Sequence, residues 1–147
     1  MPLTRRELCR LLPAAILPVA AMAQDSPPPG NSLPSSTWTF DQLPVNATND
    51  GQFRAVLKGR LATGESLETH ETTLPPGGMP HPAHHHVHSE MWLIREGTVE
   101  ITINGASHRL GPDGVGFVRS NEEHGIKNVG TSPATYFVVA VGPGAAS

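Results

Sequence analysis

The chain has 147 residues, with ten Lys and Arg against thirteen Asp and Glu and a formal net charge of −3. That length suits one domain around one core, and the weakly acidic balance argues against nucleic acid or an anionic membrane surface as partner. Gly and Pro stand at 15 each against only 16% charged residues, a composition that favours turns and short strands over long helices.

The first residues, "MPLTRRELCRLLPAAILPVAAMAQD", read as an address. Arg5, Arg6 and Arg10 make a basic start, an apolar run extends from Leu11 to Ala21, and Ala21-Met22-Ala23 forms an A-x-A cleavage pattern before Gln24. Residues 1–23 are therefore expected to be a signal peptide, and the protein to be exported to the periplasm or secreted. The apolar run is too short to span a bilayer and contains Pro13 and Pro18, so no stable membrane anchor is expected. The pair Arg5-Arg6 resembles a twin-arginine export signal; an ordinary Sec signal is the alternative. Cleavage after Ala23 removes Cys9, the single cysteine, and with it any disulfide or cysteine zinc site. It also removes three basic residues and one acidic residue, which brings the formal charge to −5.

Residues 24–50 begin "QDSPPPGNSLPSSTW" and read as a Pro/Ser-rich linker or loosely draped arm. Residues 51–147 form the predicted domain. Within it "FRAVLKGRLAT" and "SLETHETTL" read as strands separated at Gly64, and "PPGG" (75–78) ends the second. "EMWLIRE" is an apolar run with little alternation, so it is expected to be buried on both faces. "TVEITI" alternates cleanly, with Val99, Ile101 and Ile103 on one face and Glu100 and Thr102 on the other. Asn104-Gly105 follows, the favoured pair for a type I′ hairpin turn. "SHRL", "VGFV" and "ATYFVVAV" complete the set. No amphipathic helix is evident after the signal. Short strands at even spacing predict an all-β sandwich or barrel.

All eight histidines lie between His70 and His124. Pro80 and Pro82 forbid a helix around His81, so pairs of histidines one helical turn apart are excluded there. In an extended segment His84 and His86 share a face and His85 points the other way. Glu90 either continues that face or begins the next strand. Two imidazoles and a carboxylate converging in this way suit a first-row transition metal.

The spacing Gly78-x5-His84-x-His86-x3-Glu90-x6-Gly97 resembles the first signature of the cupin family at all five fixed positions. The second signature, broadly G-x5-P-x-G-x2-H-x3-N, is matched less fully by "LGPDGVGFVRSNEEHGIKNVG". His124 and Asn128 fit it, and Gly111-Pro112 sits near its turn glycine. Arg119 replaces the proline, and Asn121 replaces the second glycine; Asn tolerates the left-handed conformation that glycine supplies. The resemblance spans about residues 74–141. It implies a cupin double-stranded β-helix, or jelly-roll, barrel. By the same resemblance His84, His86, Glu90 and His124 are the metal ligands, with His124 arriving from a distant strand. One divalent transition-metal ion per chain is implied, Mn(II), Fe(II), Ni(II), Cu(II) or Zn(II). A homodimer through barrel edges is implied as well.

His81, His85 and His88 read as a polar loop or rim, and His88 also suits a hydrogen-bonding or acid–base role beside the ligands. His70 and His108 read as surface or strand histidines, and Asn128 as a structural hydrogen-bonder. Met91, Trp92, Phe117, Tyr136 and Phe137 read as core or pocket wall; Trp92 and Arg119 are the candidate substrate contacts. Three imidazoles and one carboxylate leave one or two positions open on an octahedral ion. The leading expectation is therefore a metal-dependent enzyme acting on a small molecule, dioxygenase-like first and lyase or isomerase second. The alternative is a non-enzymatic periplasmic module that captures a small ligand or a metal. A storage role ranks last, and no helix-turn-helix pattern suggests contact with nucleic acid.

Overall fold

A computed structural model of the chain describes residues 30–48 and 50–146. The expected signal peptide, residues 1–23, and the start of the arm lie outside the described residues. The described residues hold one 3-10 turn, Phe40–Gln42, and nine strands: β1 Val45–Thr48, β2 Gly51–Arg60, β3 Ser66–Leu74, β4 Ser89–Glu96, β5 Val99–Ile103, β6 Ala106–Leu110, β7 Val115–Val118, β8 His124–Asn128 and β9 Ala134–Val141. They form a six-stranded sheet of order β1-β2-β3-β9-β4-β7 and a three-stranded sheet of order β6-β5-β8. Every strand pair is antiparallel. The fold is all-β, as the even spacing of short strands predicts.

The two sheets close on one core. Leu74, Trp92, Ile94, Val118, Tyr136 and Val138 come from the larger sheet, and Val99, Ile101 and Ile126 from the smaller. The alternation in β5 works as expected: Val99 and Ile101 are fully buried and Ile103 packs against the core. Its turn is the expected type as well. Asn104 and Gly105 both take positive φ, 47° and 81°, and the register closes on Ile103 opposite Ala106.

Strand β4 departs from expectation. Trp92 and Ile94 are buried, but Leu93 is 39% exposed. The reason is the layering: the six-stranded sheet packs on a partner on one side only, so its outer face meets solvent and β4 alternates after all. The register then places Met91 opposite Phe117 and Val139, and Leu93 opposite Val115 and Phe137. Met91, Phe117 and Phe137 are therefore not core residues. They belong to an apolar outer face that includes Val115 at 56% and Phe117 at 55% exposure.

The arm contributes more than its composition suggests. Ser32 bridges Arg60 in parallel, Leu33 N–H donates to the Arg60 carbonyl at 2.7 Å, and Leu43 is buried. The Phe40 ring lies 4.3 Å from the Arg54 guanidinium and 4.7 Å from that of Arg95, within cation–π range. Beneath it Arg54 Nε meets the buried Glu71 carboxylate at 3.3 Å. Strand β1, also from this segment, pairs with β2 as a hairpin.

A long connection between β3 and β4 is held against β8 at both ends. Gly77 N–H donates to the Asn128 carbonyl at 3.0 Å, and Asn128 N–H to the Gly78 carbonyl at 2.9 Å. Six residues on, His84 and His124 exchange both backbone hydrogen bonds, at 3.0 and 2.8 Å. Gly97 closes the following hairpin with φ 78°, and a Cβ there would meet the Pro133 carbonyl and Ala134 at 2.6 Å; both conditions demand glycine.

Asn128 locks this arrangement from inside. It has no exposed surface; its Nδ2 donates to the Leu74 carbonyl at 3.0 Å and the Ser132 carbonyl at 2.9 Å, and its Oδ1 accepts from Gly130 N–H at 2.9 Å. Asn128→Ala leaves these groups buried and unsatisfied, and is expected to destabilise the fold by about 2–4 kcal/mol in urea unfolding. A loss below about 1 kcal/mol would show that water replaces the amide.

Candidate metal centre

The histidine-rich connection cannot become a helix or a regular strand, because Pro75, Pro76, Pro80 and Pro82 each lack an N–H. It is held instead by the backbone exchange between His84 and His124, which sets these two side chains next to each other although they are 40 positions apart. Extended geometry then brings His86 to the face His84 occupies. The ring centroids of His84, His86 and His124 stand 4.6–5.2 Å apart, and one ligand nitrogen of each lies within 4.8 Å of the others. His85 points into solvent, as expected. Glu90, near the start of β4, faces inward in step with Trp92, and its Oε2 lies 3.0 Å from His86 Nε2.

Hydrogen bonds set the tautomers. His86 Nδ1 lies 3.0 Å from the His88 carbonyl, and His124 Nδ1 lies 2.8 Å from the Glu122 carbonyl. A carbonyl only accepts, so both Nδ1 atoms carry the proton and both Nε2 atoms are left to accept or ligate. The contact between His86 Nε2 and the Glu90 carboxylate then joins two electron-rich atoms. It requires a second ring proton or a cation between them.

Two further nitrogens test the fit of a metal. His84 Nδ1 and His124 Nε2 are buried and have no hydrogen-bond partner. Buried polar atoms are almost always satisfied, and an ion would satisfy both. The donors therefore fit a divalent transition metal: His84, His86 and His124 as one compact trio, with Glu90 joined to it through His86. Burial and the neighbouring imidazoles of His81, His124 and His86 hold the His84 pKa down to about 4, so its ring stays neutral and able to ligate.

His88 is closer to this set than its place in the sequence suggests. Its ring stacks on His86 at 3.5 Å, and its Nε2 lies 4.0 Å from Glu90 Oε2. His86, His88 and Glu90 form a second possible trio of donors. Burial, followed by the charge of His86, pushes the His88 pKa below its ordinary value.

The site opens on a cavity of about 300 Å³ lined by Glu90 and His124, by the apolar Phe53, Leu74, Trp92, Ile126 and Val138, and by His70, Thr72 and Tyr136. Trp92 lines it as expected, 1% exposed and 5.5 Å from the His124 ring. Arg119 does not. Its side chain is 76% exposed and pairs with Glu122 at 2.9 Å, turned outward where β7 ends. Asn121, the residue that replaces the second glycine, takes φ 63°, and so does the work of that glycine.

Of three cavity features, His70 and the β1–β2 hairpin escape the sequence reading, whereas Tyr136 already reads there as core or pocket wall. His70 lines the wall, and burial lowers its pKa against the opposing pull of Glu68. Tyr136 stands opposite Thr72 across the β3–β9 register, and burial raises its pKa well above the usual phenol value. Thr48 and Asp50, on the β1–β2 hairpin, line the mouth. The signal for the first two was present: His70, Thr72 and Leu74 alternate along β3, and Tyr136 and Val138 along β9. The hairpin had no such signal.

Comparison with known proteins agrees with this geometry. Residues 70–140 match the sequence family described as the cupin domain. An RmlC-like cupin from Shewanella frigidimarina superposes with TM-score 0.62 at 16% identity, over 75% of this chain and 94% of that one. KdgF from a Halomonas species gives TM-score 0.62 at 15% identity, over 73% and 94%. A predicted oxalate decarboxylase from Thermotoga maritima gives 0.60 at 19% identity, over 73% and 99%. No curated protein sequence matches the chain. At these identities the solved structures show a shared fold, and it is the cupin domain matched over residues 70–140 that places the chain in the cupin family.

Proposed function

We propose that the mature protein is an exported metal-binding cupin in which His84, His86, Glu90 and His124 hold one divalent transition-metal ion per chain, and that the ion serves a dioxygenase-like reaction on a small molecule. The observation that carries this reading is the pair of buried imidazole nitrogens without partners, His84 Nδ1 and His124 Nε2, beside the 3.0 Å contact of His86 with Glu90. When bound, such an ion supplies a Lewis-acid or redox centre with a position open to ligand. The chain's own part is to orient the imidazoles through the carbonyls of His88 and Glu122, and to keep bulk water from the inner wall with Trp92, Leu74 and Val138. Export rests on the composition of residues 1–23.

Capture of a small ligand without turnover is the second reading. It is favoured by the small cavity, about 300 Å³, whose wall sets His70 against Glu68 at 3.4 Å and Tyr136 opposite Thr72 across the β3–β9 register. A homodimer belongs to the same proposal. The outer face of β4, β7 and β9 supports it, because edge strand β7, "VGFV", carries no Lys or Pro to discourage pairing and is self-complementary about a two-fold axis.

The full chain, expressed in a bacterium and recovered from the periplasm, is expected to begin at Gln24 by mass and to carry about one ion. His84→Ala and His124→Ala are each expected to weaken metal binding at least about tenfold. Undiminished metal in both variants would place the ion elsewhere. Oxygen uptake with a phenol, lost in His84→Ala, is expected of the enzyme; an ion-loaded protein without uptake favours capture. Phe117→Glu is expected to give a monomer by light scattering with its metal retained, and a wild-type monomer would remove the dimer.

Acidity gives another check. Burial lowers the pKa values of His70, His84 and His88 from 6.5 in the folded chain. Below pH 6.5 the unfolded chain therefore binds protons that the folded chain refuses, and the metal-free protein loses stability as pH falls towards about 4, where His84 itself titrates. The Tm of chelator-treated protein is expected to fall through this window, and less steeply in His84→Gln. A flat profile would show that these rings are not desolvated.

A further inference from the structure

We infer that the ligand of this cavity is a small, uncharged molecule with a flat apolar body and a hydroxyl or carbonyl edge, of the phenol or hydroxyketone class, and not a carboxylate-rich or phosphorylated one. The inference rests on the metal reading above and adds the chemical class of its ligand.

Charge is the first ground. Among the described residues the cavity lining holds two carboxylates, Glu90 and Asp50, and no Lys or Arg. The nearby guanidiniums are committed elsewhere: Arg54 to Glu71 at 3.3 Å, and Arg119, largely exposed, to Glu122 at 2.9 Å. A divalent ion together with Glu90 and Asp50 has no net formal charge. A dicarboxylate or phosphate entering here would find one counter-charge, already balanced, and would leave at least one anionic group desolvated without a partner. Sites that read such anions present Arg forks or clustered backbone N–H groups, and this lining presents no Arg.

Size and shape are the second ground. About 300 Å³ lies at the low end of the roughly 300–1,000 Å³ of ligand pockets. Phe53 and Trp92 supply flat faces, and Ile126 and Val138 supply aliphatic wall.

The polar edge is the third. Tyr136 and Thr72 stand opposite one another across the β3–β9 register, and both line the cavity. Each carries an O–H, so the pair can donate to a ligand oxygen. Among the described residues no Lys or Arg lines the cavity; what the wall offers is hydroxyl donors and imidazole. That set recognises a neutral oxygen and discriminates poorly for a carboxylate.

The test uses the mature protein loaded with Co(II), followed by visible absorption and calorimetry. Catechol and 3,4-dihydroxybenzoate form a matched pair that differs by one carboxylate, and oxalate is a dianion small enough to fit. Catechol is expected to bind at least tenfold more tightly than 3,4-dihydroxybenzoate or oxalate. Tyr136→Phe and Thr72→Val are expected to weaken catechol about threefold to tenfold with Co(II) content unchanged, and Gln52→Arg, which adds a cation to the lining, is expected to narrow the gap. Co(II)-loaded protein that binds either anion as tightly as catechol, or binds none of the three, overturns the inference and leaves the metal centre standing. Protein that takes up no Co(II) overturns the metal reading, and the inference with it.

Discussion

The site depends on one backbone exchange. His84 and His124 trade N–H···O=C bonds, and six residues earlier Gly77 and Gly78 trade the same bonds with Asn128. The proline-broken connection between β3 and β4 is thereby laid along β8 and held at two points. A segment that cannot form a helix and is not itself a regular strand acquires a strand's precision from its neighbour. Without this, two imidazoles separated by 40 residues would have no reason to meet, and the nitrogens that ligate would scatter with the loop.

The same constraint explains why the centre is rigid in orientation and adaptable in contents. The carbonyls of His88 and Glu122 fix two imidazole tautomers, so the donor atoms are aimed before any ion arrives. Asn128, buried on β8, joins β3 to the turn before β9 through its side-chain amide. Around this stiff floor the cavity walls belong to β2, β3, β4 and β9, whose inward residues alternate with an apolar outer face. Positive charge is kept to the outside, where Arg54 and Arg95 meet Phe40 and Arg119 meets Glu122.

Most strands were legible because their signals are local. Alternation in "VEITI" and the Asn104-Gly105 pair needed no tertiary help. "EMWLIRE" was misread because a run of apolar residues looks alike whether its second face meets a helix or water. Here it meets water, so Leu93, Val115 and Phe117 lie outside. Strand β1 was missed since "VNAT" has no apolar periodicity, although Asp50-Gly51 after it is a turn signature, and it exists as a strand because β2 is there to pair with. Arg119 was singled out by a departure from a motif, but a side chain at a strand end is aimed by the turn that follows it.

By itself the amino-acid sequence determined the all-β class, the hairpin turn at Asn104-Gly105, and the spacing that groups His84, His86 and Glu90, because each depends on residues a few positions apart with fixed backbone periods. His124 joins them through the motif resemblance, and only the tertiary structure decided how it is seated, by backbone exchange with His84, that His88 stacks on His86, and that His70 and Asp50 face the cavity. Those are relations between distant strands, set by register and by which face of a sheet is covered, and no local period encodes them.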